Sequence, residues 1–175
     1  MMVRGITLIP RKAAKLLNPN TGEVAVSVFA LGTLLGYSQQ NLLFIYKQFL
    51  WEAARGTSNV FKTYNNAFGM NAVNVRQTTQ TGTYETSVET LGIYPSVWSS
   101  VVDYFLWADY WSLDDFKRSN DYSQAASNIY HLSPTYSNNV GSLSPIGWNL
   151  GRLVTMTCLP LELLAIQKIW KSFKN

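Results

Sequence analysis

Cysteine and histidine are nearly missing from this sequence, which holds one of each, Cys158 and His131. A single cysteine cannot close a disulfide within the chain, so a disulfide-stabilised secreted scaffold is excluded. A zinc site of the usual kind takes several His and Cys ligands, and the sequence cannot supply them. Catalysis of the Ser–His–Asp type would have to use His131, and no motif marks a nucleophile for it.

Motifs for nucleotide cofactors are missing as well. The chain has neither the G-x-x-x-x-G-K-[ST] phosphate loop nor the G-x-G-x-x-G dinucleotide fingerprint. Its 14 basic residues are scattered rather than gathered into a stripe with aromatic residues, which argues against nucleic-acid binding. We therefore predict a protein that is not an enzyme and has no metal, cofactor or nucleic-acid partner.

Charge is scarce, at 14% of the residues against about 25% in an average soluble domain. Aromatic residues also make up 14% and include 6 Trp and 10 Tyr. Low charge with many Trp and Tyr is typical of a chain that lies partly in lipid and partly at the headgroup level. The mean hydropathy of -0.02 limits the embedded part to a fraction of the chain.

The apolar run Val24–Tyr46 carries no charged residue. A helix crosses the hydrocarbon core of a bilayer with about 20 mostly apolar residues, so this run predicts a transmembrane helix with an exposed extension, over 23–55. Within it Gly32 and Gly36 have the small-xxx-small spacing that lets membrane helices approach closely. Alternatively, the embedded part ends near Tyr37, and the residues after it form an exposed amphipathic helix.

A second apolar stretch occupies 143–175 and has a basic end. Pro160 predicts a kink in it. Arg152 and Glu162 would each cost at least about 2 kcal/mol in lipid unless a partner or a headgroup meets them. We expect either a second transmembrane helix or an amphipathic helix on the membrane surface. A membrane enzyme or carrier would have to build its polar site from these two residues and Gln39–Asn41.

Both ends of the chain are basic, whereas the middle is acidic. Residues 1–22 predict a basic amphipathic segment with the character of a mitochondrial targeting sequence. We expect Lys12 and Lys15 near one end, and Lys168 and Lys171 near the other, to contact an anionic phospholipid such as cardiolipin or a partner.

Two further segments lie between the apolar stretches. Residues 56–95 are rich in Thr and Asn and predict an extended arm with a turn at Thr81–Gly82. Residues 96–142 predict aromatic amphipathic helices and a loop: a helix from 96 to 111, a cap at Ser112, and a loop from 133 to 144. The aromatic cluster Trp107, Tyr110 and Trp111 is typical either of a membrane-interface anchor or of a packed core stripe.

These segments together predict a mainly α membrane protein with one or two transmembrane helices, amphipathic helices and extended arms. Small size, the basic start, the span of Val24–Tyr46, low charge and aromatic loops resemble an accessory subunit of a mitochondrial inner-membrane oxidative-phosphorylation complex. The resemblance implies a non-catalytic subunit of the respiratory chain that contributes to assembly, stability and lipid contacts. It leaves two alternatives open, a peripheral or dimer-interface subunit of ATP synthase and a soluble helical module that binds proteins.

Overall fold

A computed structural model describes residues 19–129, 134–145 and 148. In chain order its helices are α1 (Pro19–Leu34), α2 (Gln39–Glu52), α3 (Asn59–Tyr64), α4 (Val97–Tyr110), α5 (Tyr122–Ile129) and α6 (Pro134–Ser142). Strands β1 (Gly82–Glu85) and β2 (Thr90–Ile93) lie between α3 and α4. Two short 3-10 turns, Ala54–Gly56 and Leu113–Phe116, follow α2 and α4.

The uncharged run that predicted a membrane span is divided between two helices. Gly36 has φ +88°, a left-handed conformation that glycine adopts without steric cost and that ends α1. Ser38 is extended, and its Oγ accepts a hydrogen bond from the N–H of Asn41 at 3.2 Å, which caps α2. The resulting helices have 16 and 14 residues, fewer than the about 20 that a span needs.

No helix in the described part of the chain is both long enough and apolar enough to cross a membrane. The prediction of a mainly α membrane protein with a transmembrane helix over 23–55 is therefore wrong. The apolar residues of the run instead pack within the chain, as a mixed structure of helices and one small sheet.

The polar residues at the junction of α1 and α2 form hydrogen bonds with other parts of the chain. The buried amide of Asn41 donates to the carbonyl oxygens of Phe116, Lys117 and Ser119 at 2.9–3.1 Å. The Ser38 N–H donates to the Lys117 carbonyl at 2.8 Å. The start of α2 thus holds the segment that follows α4.

Helices α1, α2 and α4 surround the main core, and α5 and α6 close it on the side of α2. Gly32 is buried at the contact of the first three, where a Cβ would lie 2.0 Å from Leu42 Cδ2 and 3.0 Å from Phe105 Cζ. Tyr37 packs edge-on against Phe105 with ring centroids 5.1 Å apart. Close helix approach at a glycine therefore occurs inside this chain.

A chain of polar side chains passes through the same core. The Tyr104 hydroxyl of α4 donates to Oε1 of Gln48 in α2 at 2.6 Å and lies 2.8 Å from the Tyr122 hydroxyl of α5. All three residues are fully buried. Among the described residues, Gln48 Nε2 has no hydrogen-bond partner.

The segment predicted as an extended arm contains a helix and a hairpin. Ser58 precedes helix α3 and caps it through its Oγ, and β1 pairs antiparallel with β2 so that Tyr84 lies opposite Leu91. The turn lies at Thr86–Glu89, not at Thr81–Gly82, which leads into β1.

Among the other predicted helices, loops and caps, one helix is present, whereas one loop and one cap are not. The helix predicted from residue 96 is present as α4 and is capped by Ser96, whereas most of the loop predicted over 133–144 is helix α6. Ser112 makes no capping side-chain hydrogen bond and has φ +58°. The basic segment of residues 1–18 and nearly all of the second apolar stretch lie outside the described residues.

Candidate functional site

An open groove of about 670 Å³ lies where the end of α2, the loop after α3, the hairpin and the end of α4 meet. Carboxylates, amides and aromatic rings line it together. The lining side chains used below are Glu52, Asn66, Arg76, Glu89, Tyr110 and Trp111. We call this feature the groove.

One wall of the groove is fixed by a buried ion pair. Arg76 makes a two-pronged contact with Asp103 of α4, with Nη1–Oδ1 and Nη2–Oδ2 distances of 2.9 Å. The Arg76 side chain is 5% exposed and Asp103 is fully buried. Planar guanidinium–carboxylate pairs of this kind are strong and geometrically specific. The pair therefore fastens the irregular segment before β1 onto a core helix.

Two further donors complete the environment of Asp103. The Tyr94 hydroxyl donates to Asp103 Oδ2 at 2.6 Å, and the Thr79 N–H lies 3.4 Å from Oδ1. Burial, and next the charge of Asp103, raise the pKa of Tyr94 above its ordinary value, so the hydroxyl stays protonated as a donor.

The floor of the groove is shaped by a buried amide. Asn66 donates to the carbonyl oxygens of Met70 and Gly92 at 2.9 and 3.0 Å, and its Oδ1 accepts from the Met70 N–H. These bonds hold the loop after α3 against β2. Both N–H groups of the Asn66 amide and one acceptor site of its Oδ1 are used in holding the backbone, so the main role of this amide is to position the groove.

Glu52 lies at the last residue of α2 and is partly buried in the groove. The Tyr136 hydroxyl of α6 donates to its Oε1 at 2.7 Å, and Gly69 lies beside its Oε2, where a Cβ would come within 3.5 Å. Burial raises the pKa of Glu52; the Tyr136 hydrogen bond lowers it and the Glu89 charge raises it further. The Glu89 charge therefore disfavours the ionised form of Glu52.

Neither of these carboxylates forms an ion pair with a basic side chain among the described residues. The ion pairs of the described chain join Arg76 to Asp103 and Lys117 to Asp114. The groove therefore carries two negative charges that no described basic side chain neutralises.

Two half-exposed aromatic rings stand at the end of α4. Tyr110 is 48% and Trp111 50% exposed, and their rings meet edge-on with centroids 5.2 Å apart. Trp107 of the same predicted cluster is 9% exposed and belongs to the core. Trp107 thus packs in the core, whereas Tyr110 and Trp111 belong to the accessible surface.

The residues singled out in the sequence do not form this site. Gly32 lies in the helical core, and Gly36 ends α1. That either glycine packs against a helix of another protein stays a prediction. The other candidates, Lys12, Lys15, Arg152, Glu162, Lys168 and Lys171, lie outside the described residues. Sequence reasoning missed Glu52, Arg76 and Glu89. One signal was available, since Asp103 is an acid within the otherwise apolar stretch of α4.

Metal binding and catalysis gain no new support. The described residues contain no group of three or more His, Cys, Asp or Glu side chains placed to hold a metal ion. That the chain is not an enzyme stays a prediction.

Comparisons with known proteins give one structural likeness. No protein-family model and no curated protein sequence matches the chain. A solved chain from a type VI secretion system effector–immunity complex of Pseudomonas protegens matches it with a TM-score of 0.52 and 15% identity. The match covers 77% of this chain and 94% of that chain. At this identity the likeness shows a shared fold.

These findings overturn the predicted identity. The resemblance to an accessory subunit of a mitochondrial oxidative-phosphorylation complex is wrong, since the matching fold comes from a bacterial effector–immunity complex and the described helices include no span. The predicted location in the mitochondrial inner membrane and the role in the respiratory chain are wrong for the same reasons. Of the predicted partners, a protein partner has support from the fold likeness, while a large membrane complex and cardiolipin have none.

Proposed function

We propose that this chain functions by binding a protein partner, as one member of a pair of the effector–immunity kind. The observation that carries the proposal is the fold shared with nearly the whole of a chain from such a complex. The likeness spans most of the present chain as well, so the shared part is large enough to include a binding surface.

The groove supports the same proposal from its own chemistry. Protein interfaces are enriched in Trp and Tyr, and a few such residues dominate the binding energy when they meet a pocket. Tyr110 and Trp111 are half exposed at the edge of a groove that is large enough to accept several side chains. Hydrogen bonds and an ion pair hold its walls in place, so little ordering is left to oppose binding.

The pairing can be tested by co-expression. The full chain is produced with each of the proteins encoded beside its gene, and complexes are sought by size-exclusion chromatography with light scattering. We expect one of these proteins to form a stoichiometric complex. If all of them elute apart from the chain at micromolar concentration, the proposal is wrong.

The role of the groove in that complex is tested with matched aromatic variants. We expect Tyr110→Ala with Trp111→Ala to weaken the complex by about tenfold to a hundredfold, measured by calorimetry. Phe116→Ala is the control, because Phe116 is 37% exposed and does not line the groove. Equal affinity of the two variants for the partner would show that the interface lies outside the groove.

A growth assay then assigns the member of the pair. An effector is expected to arrest bacteria that express the chain alone, and the partner should relieve the arrest. An immunity protein is expected to leave growth unchanged alone and to relieve arrest caused by its partner. The absence of arrest in both arrangements, with or without the complex, would contradict the effector–immunity role.

A further inference from the structure

We propose that the groove accepts an arginine side chain of the partner, with Glu52 and Glu89 facing the guanidinium and Tyr110 and Trp111 covering its plane. This inference rests on the proposed function, because it names the group that the partner brings to the same groove.

Charge complementarity is the first argument. Among the described residues, the charged side chains that line the groove are Glu52, Arg76 and Glu89. The Arg76 charge is already neutralised by Asp103 at 2.9 Å, on a carboxylate that is fully buried. With Glu52 and Glu89 ionised, the described side chains therefore leave the groove with a charge of about −2, which favours a cationic group and disfavours an acidic one.

The state of Glu52 gives the second argument. Its Oε1 accepts the Tyr136 hydrogen bond, and no hydrogen bond to its Oε2 joins it to another described residue. Burial and the nearby Glu89 charge both disfavour the ionised carboxylate. A bound cation offsets both effects at once, so the site gains more from a cation than an exposed carboxylate would.

The aromatic rings distinguish arginine from a simple cation. A guanidinium is planar and weakly hydrated, and it stacks on aromatic faces while its N–H groups bond to carboxylates. The groove offers both kinds of contact, with aromatic rings on α4 and carboxylates on α2 and the hairpin. A lysine ammonium would use the carboxylates but gain less from the rings.

A peptide titration tests the inference without any partner protein. The full chain, labelled with ¹⁵N, is titrated with acetyl-Gly-Arg-Gly-amide and, as the neutral match in shape, acetyl-Gly-citrulline-Gly-amide. We expect the Trp111 indole signal, assigned with Trp111→Phe, to shift with the arginine peptide and to require about tenfold more of the citrulline peptide. Equal titration by the two peptides, or no shift, would overturn the inference.

Substitutions of Glu52 and Glu89 test whether these two carboxylates bind the arginine peptide. We expect Glu52→Gln and Glu89→Gln each to weaken the arginine peptide several-fold and both together about tenfold or more. Glu23→Gln is the control, since Glu23 is exposed and does not line the groove. Should Glu52→Gln fail to fold, Glu89→Gln still decides, because Glu89 is exposed. Unchanged binding in the carboxylate variants would overturn the inference.

The two proposals fail separately. Co-purification of a neighbouring gene's product with no response to the arginine peptide would overturn the arginine inference alone. Selective binding of the peptide with no protein partner found would overturn the proposed pairing alone.

Discussion

The helical core and the groove are built by different interactions. In the core, helices α1, α2 and α4 bury large apolar and aromatic side chains, and one chain of polar groups, Gln48, Tyr104 and Tyr122, passes through them. Around the groove, the segment between α3 and β1 buries Ala67, Phe68 and Met70 at its start, and the Arg76–Asp103 pair and the Asn66 amide hold it as well. The comparison teaches that this chain packs its core by shape and fixes its accessible surface by hydrogen bonds and charge.

The largest effect is expected from removing Asp103, the buried partner of Arg76 at the wall of the groove. Asp103→Ala leaves the Arg76 guanidinium buried without its partner, which costs about 3–5 kcal/mol. Urea denaturation measures the loss in the free energy of unfolding. Asp115→Ala, at an exposed position, should change it by less than about 0.5 kcal/mol. A loss as small as that of the control would show that the pair does not hold the segment.

A smaller loss is expected from a change of shape in the core. Gly32→Ala places a methyl group 2.0 Å from Leu42 Cδ2 and 3.0 Å from Phe105 Cζ, so these side chains or the helices that carry them must shift, at about 1–3 kcal/mol. Gly141→Ala in α6 is the matched control, because its Cβ meets nothing within 4 Å. Thermal unfolding should show a lower Tm for the first variant and not for the second. Equal Tm values would mean that the three helices have room to spare.

Removing a polar contact from the core should cost less again. Tyr104→Phe takes the donor away from Gln48 Oε1 and leaves this buried oxygen unpaired, at about 1–2 kcal/mol. Tyr110→Phe is the control, because its ring is 48% exposed. Denaturant midpoints distinguish the two. A neutral Tyr104→Phe would indicate that water or another group replaces the hydroxyl.

The smallest effect is expected to have the opposite sign. Burial raises the pKa of Glu52, so this group favours the folded state when protonated, and that contribution is lost as the pH rises through the raised pKa. Glu52→Gln stays neutral and keeps an acceptor for Tyr136. Its Tm should therefore exceed the wild-type value at pH 7 by up to about 3 °C, and the excess should shrink toward pH 4.

Glu23→Gln serves as the control for that pH series and should follow the wild-type curve throughout. A Glu52→Gln variant that is less stable than the wild type at pH 7 would show that the carboxylate stabilises the groove instead of straining it. Both curves can be recorded by differential scanning fluorimetry.

Local signals in the sequence predicted some helices and missed others. Helix α4 was predictable because Ser96 caps it and its apolar residues recur at helical spacing. The main prediction ran one helix across the break between α1 and α2, because overall hydropathy outweighed the helix-ending Gly36 and the capping Ser38. The alternative, which ended the first part near Tyr37, lay close to the observed break. Helix α6 was missed because its Ser and Asn content is typical of a loop, whereas contacts with α2 and α5 stabilise it as a helix.

The groove could not be predicted from local patterns. Glu52, Arg76, Glu89 and Trp111 belong to four separate parts of the chain, and only the packing of α2, α4 and the hairpin brings them together. The Arg76–Asp103 pair spans 27 positions of sequence. An acid inside an apolar helix signals a buried partner, but it does not say which basic residue will meet it.

The buried hydrogen bonds that join Gln48, Tyr104 and Tyr122 restrict how the helices can be placed against one another, in addition to stabilising the fold. Apolar side chains tolerate small rotations and slides of one helix along another, because contact is kept in many arrangements. These three polar groups come from α2, α4 and α5, and their bonds of 2.6 and 2.8 Å form in one register of the helices. The end of α4 carries Tyr110 and Trp111, so the same register sets where the aromatic edge of the groove stands relative to Glu52 on α2.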